Sequence, residues 1–179
     1  MKDAIERFAD HIVETNYSDI PDRAIQSAKT FILDTLGVGL AGSTGPYVKE
    51  LLNAYSSAPP TELSSRVLGQ RARINSADAA LINGFQIHNS EFDCVHEEAV
   101  IHTMTVLLAV LLADADRRGN INGKELLKSA ILGVDVACNL GVACTSGLQF
   151  FRPATAGAFA AVAAVGSARG YDKERLIRA

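Results

Sequence analysis

The chain has 179 residues, of which 48% are hydrophobic and 21% charged, and its formal net charge is -3. This composition supports a folded core of ordinary domain size and excludes a disordered chain. The mild acidity, without any lysine- or arginine-rich run, argues against a nucleic-acid-binding protein or one that attaches to an anionic membrane surface.

Hydrophobic residues recur at helical spacing along nearly the whole chain, and strand patterns are negligible. Asp3, Asn122 and Asp172 each precede such a segment and are suitable N-caps, and Pro21 is well placed to open another. A short extended piece is predicted at 66–70. The predicted helices span residues 3–14, 21–40, 46–55, 77–88 (capped by Ser76), 103–113, 122–144, 154–169 and a last one from 172.

Small residues dominate the segment 154–169, which is almost entirely Ala, Gly, Val and Phe. Such a helix can approach its neighbours closely, so we place it at the centre of a bundle. Packing is also the better interpretation of Gly37, Gly39 and Gly42, because no phosphate-loop motif is present. The predicted fold is therefore an all-α bundle of seven or eight helices in one domain, residues 1–179.

The sequence carries no pattern typical of secretion, membrane insertion or disulfide bonding. The N-terminal segment MKDAIERFAD is charged throughout and lacks the apolar core of a secretory signal. The longest apolar run, 104–113, is shorter than the roughly 20 residues that cross a bilayer. The three cysteines, Cys94, Cys138 and Cys144, fit no disulfide framework or zinc motif. We expect a cytoplasmic protein with reduced thiols.

One polar segment, HNSEFDCVHEEAVIHT at 88–103, stands between two apolar helices. It contains three of the four histidines and four acidic residues: His88, His96, His102, Glu91, Asp93, Glu97 and Glu98. Three interpretations are open. It is a solvated acidic loop, or a metal site built from His88, Glu91 and His96, or an acid–base site, for which histidine is the natural residue near neutral pH.

Four landmarks in this order resemble the MmgE/PrpD family, which includes 2-methylcitrate dehydratase and cis-aconitate decarboxylase. Residues 34–42 resemble its D-x-x-G-x-x-x-A-G stretch, and 78–84 its A-A-x-x-N-G helix. Residues 88–102 resemble its H-x-x-D-F-D-D-T…H-P loop, and 151–159 its F-H-P-T-x-x-x-G-x-F segment. Together the landmarks cover nearly the whole chain and favour the acid–base interpretation.

The resemblance implies roles for five residues around a pocket for a substrate with several carboxylates. His102 matches the histidine that ends the loop and would abstract or deliver a proton next to a carboxylate. Asp93 and Glu91 match acidic positions of the loop and are the other catalytic candidates. His88 and Arg152 are the substrate-binding candidates, and no metal or organic cofactor is required for this chemistry.

The sequence departs from the family pattern at five positions. Glu91 and Cys94 stand where Asp is usual, Val95 replaces Thr, and Thr103 replaces Pro. Arg152 replaces the histidine of F-H-P, and since arginine stays protonated it cannot act as a general base. It could instead pair bidentately with a carboxylate, or be a surface arginine beside a proline turn.

Two functions follow from this comparison. The chain is the N-terminal helical part of a larger lyase or isomerase that dehydrates, decarboxylates or epimerises a di- or tricarboxylate, with lysines and a lid-like domain supplied by a later region. Alternatively, it is a non-catalytic helical interaction module. On either interpretation, apolar helix faces are expected to be exposed, and a homodimer or another partner is expected to cover them.

Overall fold

The computed structural model describes residues 2–55, 59, 61–71, 73–119, 121–145, 147 and 151–179. Among them the chain forms eight α-helices, and the all-α prediction is confirmed apart from a two-stranded sheet and one 3-10 helix. In chain order the elements are α1 (Ala4–Glu14), the 3-10 helix (Tyr17–Asp19), α2 (Asp22–Gly42), α3 (Val48–Tyr55), β1 (Ser64–Arg66), β2 (Arg73–Asn75), α4 (Ser76–His88), α5 (Thr103–Arg118), α6 (Gly123–Ala143), α7 (Arg152–Ala168) and α8 (Lys173–Arg178).

Side-chain caps start three of the helices as the sequence predicts. Asp3 and Glu6 form a reciprocal capping box at α1. The Asn122 side chain accepts a hydrogen bond from the N–H of Glu125 at 2.9 Å, and Asp172 caps α8 in the same way. Each cap satisfies a backbone donor that the first helical turn leaves unpaired, so these boundaries are fixed by local chemistry.

The start of α4 and the strand before it differ from the prediction. Asn75, rather than Ser76, caps α4, because its side chain accepts from the backbone of the first turn. The extended segment lies at β1, earlier than the predicted 66–70, and pairs antiparallel with β2. The Ser65 hydroxyl donates to the Ala113 carbonyl of α5 at 2.7 Å and docks β1 on the bundle. This contact is between distant residues, so no local pattern indicates it.

The helix at the centre of the bundle is α5, which packs against α2, α4, α6, α7 and β1. Its Leu107, Leu108 and Leu111 have no exposed surface, and burying a leucine contributes about 1.5–3 kcal/mol. The prediction that the small-residue helix is central is wrong in part. That helix, α7, packs on α5 and α6 but leaves Ala158 and Phe159 exposed on its opposite face.

Glycines let the helices approach closely at some of the predicted positions. A Cβ at Gly42 would lie 2.8 Å from the carbonyl carbon of Gln86 on α4, and one at Gly157 would lie 3.0 Å from Val106 on α5. Both distances are shorter than ordinary van der Waals contact. Gly37, by contrast, faces open space. The packing interpretation is confirmed for Gly42 and Gly157 but not for Gly37.

Asn83 fixes the segment that follows β1 onto α4. Its side chain is fully buried. The amide oxygen accepts from the N–H of Leu68 at 2.8 Å, and the amide nitrogen donates to the carbonyl of Arg66 at 3.1 Å. A buried amide needs such partners. The asparagine of the predicted 77–88 helix therefore positions backbone and takes no part in the chemistry described below.

Among the described residues, α6 is the helix whose length and composition would allow it to cross a bilayer. Core helices of other proteins meet the same criterion, and α6 packs closely against α7 here.

Candidate active site

The loop 89–102 connects the end of α4 to the start of α5 and brings together three titratable side chains. His88 is the last residue of α4, Asp93 lies in the loop, and His102 is the N-cap residue of α5. His88 Nδ1 lies 3.0 Å from Asp93 Oδ1, and His102 Nδ1 lies 3.2 Å from Asp93 Oδ2. We call these three residues the His–Asp–His cluster. All three were singled out from the sequence.

Asp93 is the centre of the cluster, and its side chain has no exposed surface. One carboxylate oxygen accepts from His88 Nδ1, and the other accepts from the Thr105 hydroxyl. His102 Nδ1 is close to the second oxygen but not in hydrogen-bond geometry, so this buried nitrogen has no hydrogen-bond partner among the described residues. The two imidazole rings meet edge to face, with centroids 4.8 Å apart.

The Thr105 hydroxyl, in the first turn of α5, and the two imidazoles compensate for the burial of the Asp93 carboxylate. His102 precedes the first helical residue, Thr103, and its side chain does not cap the helix. A buried carboxylate is costly unless it is paired and hydrogen-bonded. Asp93 is paired with the two imidazoles and accepts hydrogen bonds from His88 and Thr105. It is therefore a fixed acceptor around which the imidazoles are oriented.

The rest of the loop turns back on itself and carries His96 away from the cluster. The backbones of His96 and Ile101 form an isolated antiparallel bridge, and His96 Nδ1 accepts from the N–H of Ala99 at 3.1 Å. Glu91 and Val100 adopt positive φ angles of 47° and 53°. Such values are unfavourable for residues other than glycine, especially for a β-branched one, and mark a backbone held by its surroundings.

This loop path corrects the metal hypothesis. The structure does not bring His88, Glu91 and His96 together. Among the described residues, the group whose ligand atoms all lie within 4.8 Å of one another is His88, Asp93 and His102. The set named from the sequence is therefore wrong, because spacing along a loop does not reveal which side chains point the same way.

A cleft of about 620 Å³ opens beside the cluster. Polar side chains from His88, Asn89, Glu91 and Thr105 occupy its wall, and the remainder is largely apolar residues of α4 and α5. Of the predicted site residues, His88 and Glu91 therefore line the cleft. Asp93 is buried behind them, and His102 is one-quarter exposed and in contact with the His88 ring.

Arg152 has contacts that the sequence did not indicate. Its guanidinium donates to the carbonyls of Ala99 and Gly141, both at 3.3 Å, and to the carbonyl of Cys144 at 3.3 Å. It therefore ties the loop to the C-terminal end of α6, where carbonyls carry partial negative charge. These contacts are structural, and a role for Arg152 in holding a substrate carboxylate stays a prediction.

The two cysteines nearest the cluster are not activated nucleophiles. Burial raises the pKa of the Cys94 thiol, although the Met104 N–H partly opposes the shift. Burial also raises the pKa of Cys138, whose sulfur lies 3.7 Å from the Thr103 hydroxyl. Because the thiolate is the reactive form, both are poor nucleophiles at neutral pH.

Thr105 is the site residue that sequence reasoning missed. Its hydroxyl donates to Asp93, and it also lines the cleft. One sequence feature could have pointed to Thr105. It lies three residues after His102, and residues at that spacing share a helix face. Without the path of the loop, that signal does not say that Asp93 lies opposite.

Comparison with known proteins identifies the family of the chain. The sequence matches the MmgE/PrpD N-terminal domain over residues 6–179. The chain belongs to the MmgE/PrpD family. It is 35% identical to human cis-aconitate decarboxylase over 140 residues, which is 76% of this chain and 29% of that protein. It is 31% identical over 138 residues to the cis-aconitate decarboxylase-like protein oryM of Aspergillus oryzae, covering 74% of this chain and 28% of the relative. It is also 28% identical over 129 residues to the cis-aconitate decarboxylase of Aspergillus terreus, covering 70% of this chain. The aligned part of the chain thus covers less than a third of the length of each of these relatives.

Proposed function

We propose that this chain supplies the histidine–aspartate part of a lyase site that acts on a di- or tricarboxylate. The observation that carries the proposal is the buried Asp93 carboxylate placed between two imidazoles at the edge of a cleft. Relatives named cis-aconitate decarboxylases make decarboxylation of an unsaturated tricarboxylate the first reaction to test. Dehydration and epimerisation share the same proton chemistry next to a carboxylate.

The proposed roles follow from hydrogen-bonding capacity. An ionised carboxylate only accepts, so Asp93 holds a proton on His88 Nδ1 and fixes that ring. His102 is the proposed proton-transfer group. It would remove a proton from the carbon next to a substrate carboxylate, or return one to the carbanion left when CO2 departs. In its protonated form, His88 would donate from Nε2 to a substrate carboxylate in the cleft.

Two further residues belong to the same proposal. Glu91 lies on the cleft wall and is exposed, so it is placed to exchange protons with solvent or substrate. Arg152 would need to release carbonyls to bind a substrate carboxylate. Since the relatives are more than three times as long as the aligned region, we propose that the complete reaction also uses groups that this chain does not contain.

Ligand binding tests the proposal in the chain as it stands. With chelator present, cis-aconitate, citrate, 2-methylcitrate and iminodisuccinate are titrated while thermal unfolding is monitored. A ligand at 100 times its Kd adds about 2.7 kcal/mol to the stability of the folded state. We expect at least one polycarboxylate to raise Tm. No shift with any of them would refute carboxylate binding by these residues.

Matched histidine variants then assign the roles. Proton transfer at the carbon next to the substrate carboxylate is followed by NMR, as exchange of the hydrogens on that carbon for deuterium in D2O. His102→Ala is expected to abolish exchange, His88→Ala to weaken binding, and His96→Ala to leave both unchanged because that ring lies in the loop turn. Exchange that survives in His102→Ala but not in His88→Ala would transfer the proton-transfer role to His88.

A second candidate function rests on exposed apolar surface. Leu33, Phe92, Phe151 and Phe159 are each more than half exposed, and large exposed apolar groups favour association. We propose that these faces are covered in a homodimer or by another protein region. Analytical ultracentrifugation of the wild type and of Phe159→Ser tests this. A monomer at all concentrations for the wild type would exclude self-association through α7.

A further inference from the structure

We propose that the His–Asp–His cluster is a binding site for one divalent transition-metal ion of the zinc class. His88 and His102 would each supply an imidazole nitrogen, and Asp93 would supply a carboxylate oxygen. Imidazole and carboxylate together suit zinc, cobalt(II) and iron(II). This inference goes beyond the proposed function, because it concerns a ligand that acid–base chemistry does not require.

The ligand atoms are already close to the separations that such an ion needs. Tetrahedral zinc with bonds of about 2.0–2.1 Å places neighbouring ligand atoms roughly 3.3 Å apart. His88 Nδ1 lies 3.0 Å from Asp93 Oδ1, and His102 Nδ1 lies 3.2 Å from Asp93 Oδ2. No pair of ligand atoms is more than 4.8 Å apart. An ion bound by both imidazoles would draw the two rings inward around Asp93.

An unpartnered buried atom points to the same conclusion. His102 Nδ1 is buried beside Asp93 Oδ2, and it makes no hydrogen bond to a described residue. A buried polar atom without a hydrogen-bond partner destabilises the folded state. A cation between this nitrogen and the carboxylate would satisfy both groups. It would also compensate the negative charge of a side chain that has no exposed surface.

The surroundings provide the support that metal ligands require. The Thr105 hydroxyl donates to Asp93 and would orient the carboxylate from outside the coordination sphere. The two histidines are anchored at the ends of α4 and α5, so the helices hold the ligands in place. Because His88 and Thr105 line the cleft, a fourth position is open to water or to a small anion from that side.

The metal and the proton would compete for the same imidazole nitrogens. When the metal is bound, His88 and His102 therefore cannot exchange protons through the imidazole nitrogens that bind it. Metal binding and carboxylate binding are measured separately, the first without ligand and the second in chelator. A negative result for metal binding therefore does not affect the proposal of carboxylate binding, and the reverse also holds.

Cobalt(II) is the probe for the test. The metal-free chain is titrated with Co2+ while its visible absorption is recorded, and the bound Co2+ is then displaced with Zn2+. We expect one Co2+ per chain, with affinity lowered roughly 100-fold or more in His88→Ala, Asp93→Asn and His102→Ala. Thr105→Val, which keeps the side-chain shape, is expected to lower affinity by about 10–100-fold as an outer-shell change.

Controls separate this site from other metal-binding groups. His96→Ala, His11→Ala and Cys94→Ser are expected to bind Co2+ like the wild type, since none of these residues belongs to the cluster. Circular dichroism checks that each variant is folded, and Thr105→Val keeps the test valid if Asp93→Asn unfolds. Absence of Co2+ binding, or equal affinity in the wild type, His88→Ala and His102→Ala, would overturn the proposal.

Discussion

Replacing Gly42 with alanine is expected to destabilise the bundle by forcing α2 away from α4. The added Cβ would lie 2.8 Å from the Gln86 carbonyl carbon and closer still to its oxygen, whereas ordinary contact begins at 3.4 Å. Backbone cannot rotate aside as a side chain can, so the helices must separate. Overpacking of this kind costs up to about 3 kcal/mol, and at about 2–4 °C per kcal/mol Tm falls by about 6–12 °C.

Gly37 on the same helix provides the matched control. A Cβ there meets nothing within 4 Å, so Gly37→Ala should gain only helix propensity and stabilise the protein by about 0.5–1 kcal/mol. Urea unfolding followed by circular dichroism measures both variants, with an unchanged m value as the check that the same surface is exposed on unfolding. If Gly42→Ala proved as stable as Gly37→Ala, the close approach of α2 and α4 would be refuted. Because Gln86 lies two residues before His88, Gly42→Ala should also weaken ligand binding.

Two further predictions concern titrating groups. Hydrogen bonds from Arg66 hold the pKa of Asp116 below its ordinary value. The Asp116–Arg66 ion pair therefore contributes its full share to the free energy of unfolding above about pH 4. This contribution is lost as pH falls through the lowered pKa of Asp116. We expect Asp116→Asn to reduce stability by about 1 kcal/mol at pH 7 and less at acidic pH, and equal Tm losses at both pH values would contradict this. The raised pKa of Cys94 predicts that iodoacetamide modifies it more slowly than the exposed Cys144 at neutral pH, with the rate increasing at alkaline pH. Peptide mass spectrometry would show the order, and faster labelling of Cys94 would refute the burial argument.

The helical architecture was largely predictable because its signals are local. Caps such as Asp3, Asn122 and Asp172 act within one helical turn, and the apolar spacing within each helix indicates its buried face. The two short strands were harder to predict, because β1 is held by the Ser65 contact to α5, nearly fifty residues further along the chain. The family landmarks also identified the loop that carries the candidate chemistry, since such landmarks depend only on residue type and order.

The candidate site was predictable as a set of residues but not as an arrangement. The sequence by itself determined that histidines and acids crowd the loop between two apolar helices, since composition and spacing are readable residue by residue. Only the tertiary structure decided that Asp93 joins His88 to His102, that Thr105 supports it and that His96 is excluded. The reason is geometric: the direction of a loop side chain depends on φ and ψ along the whole path, including the positive φ at Glu91 and Val100, and on the two helices that fix the ends.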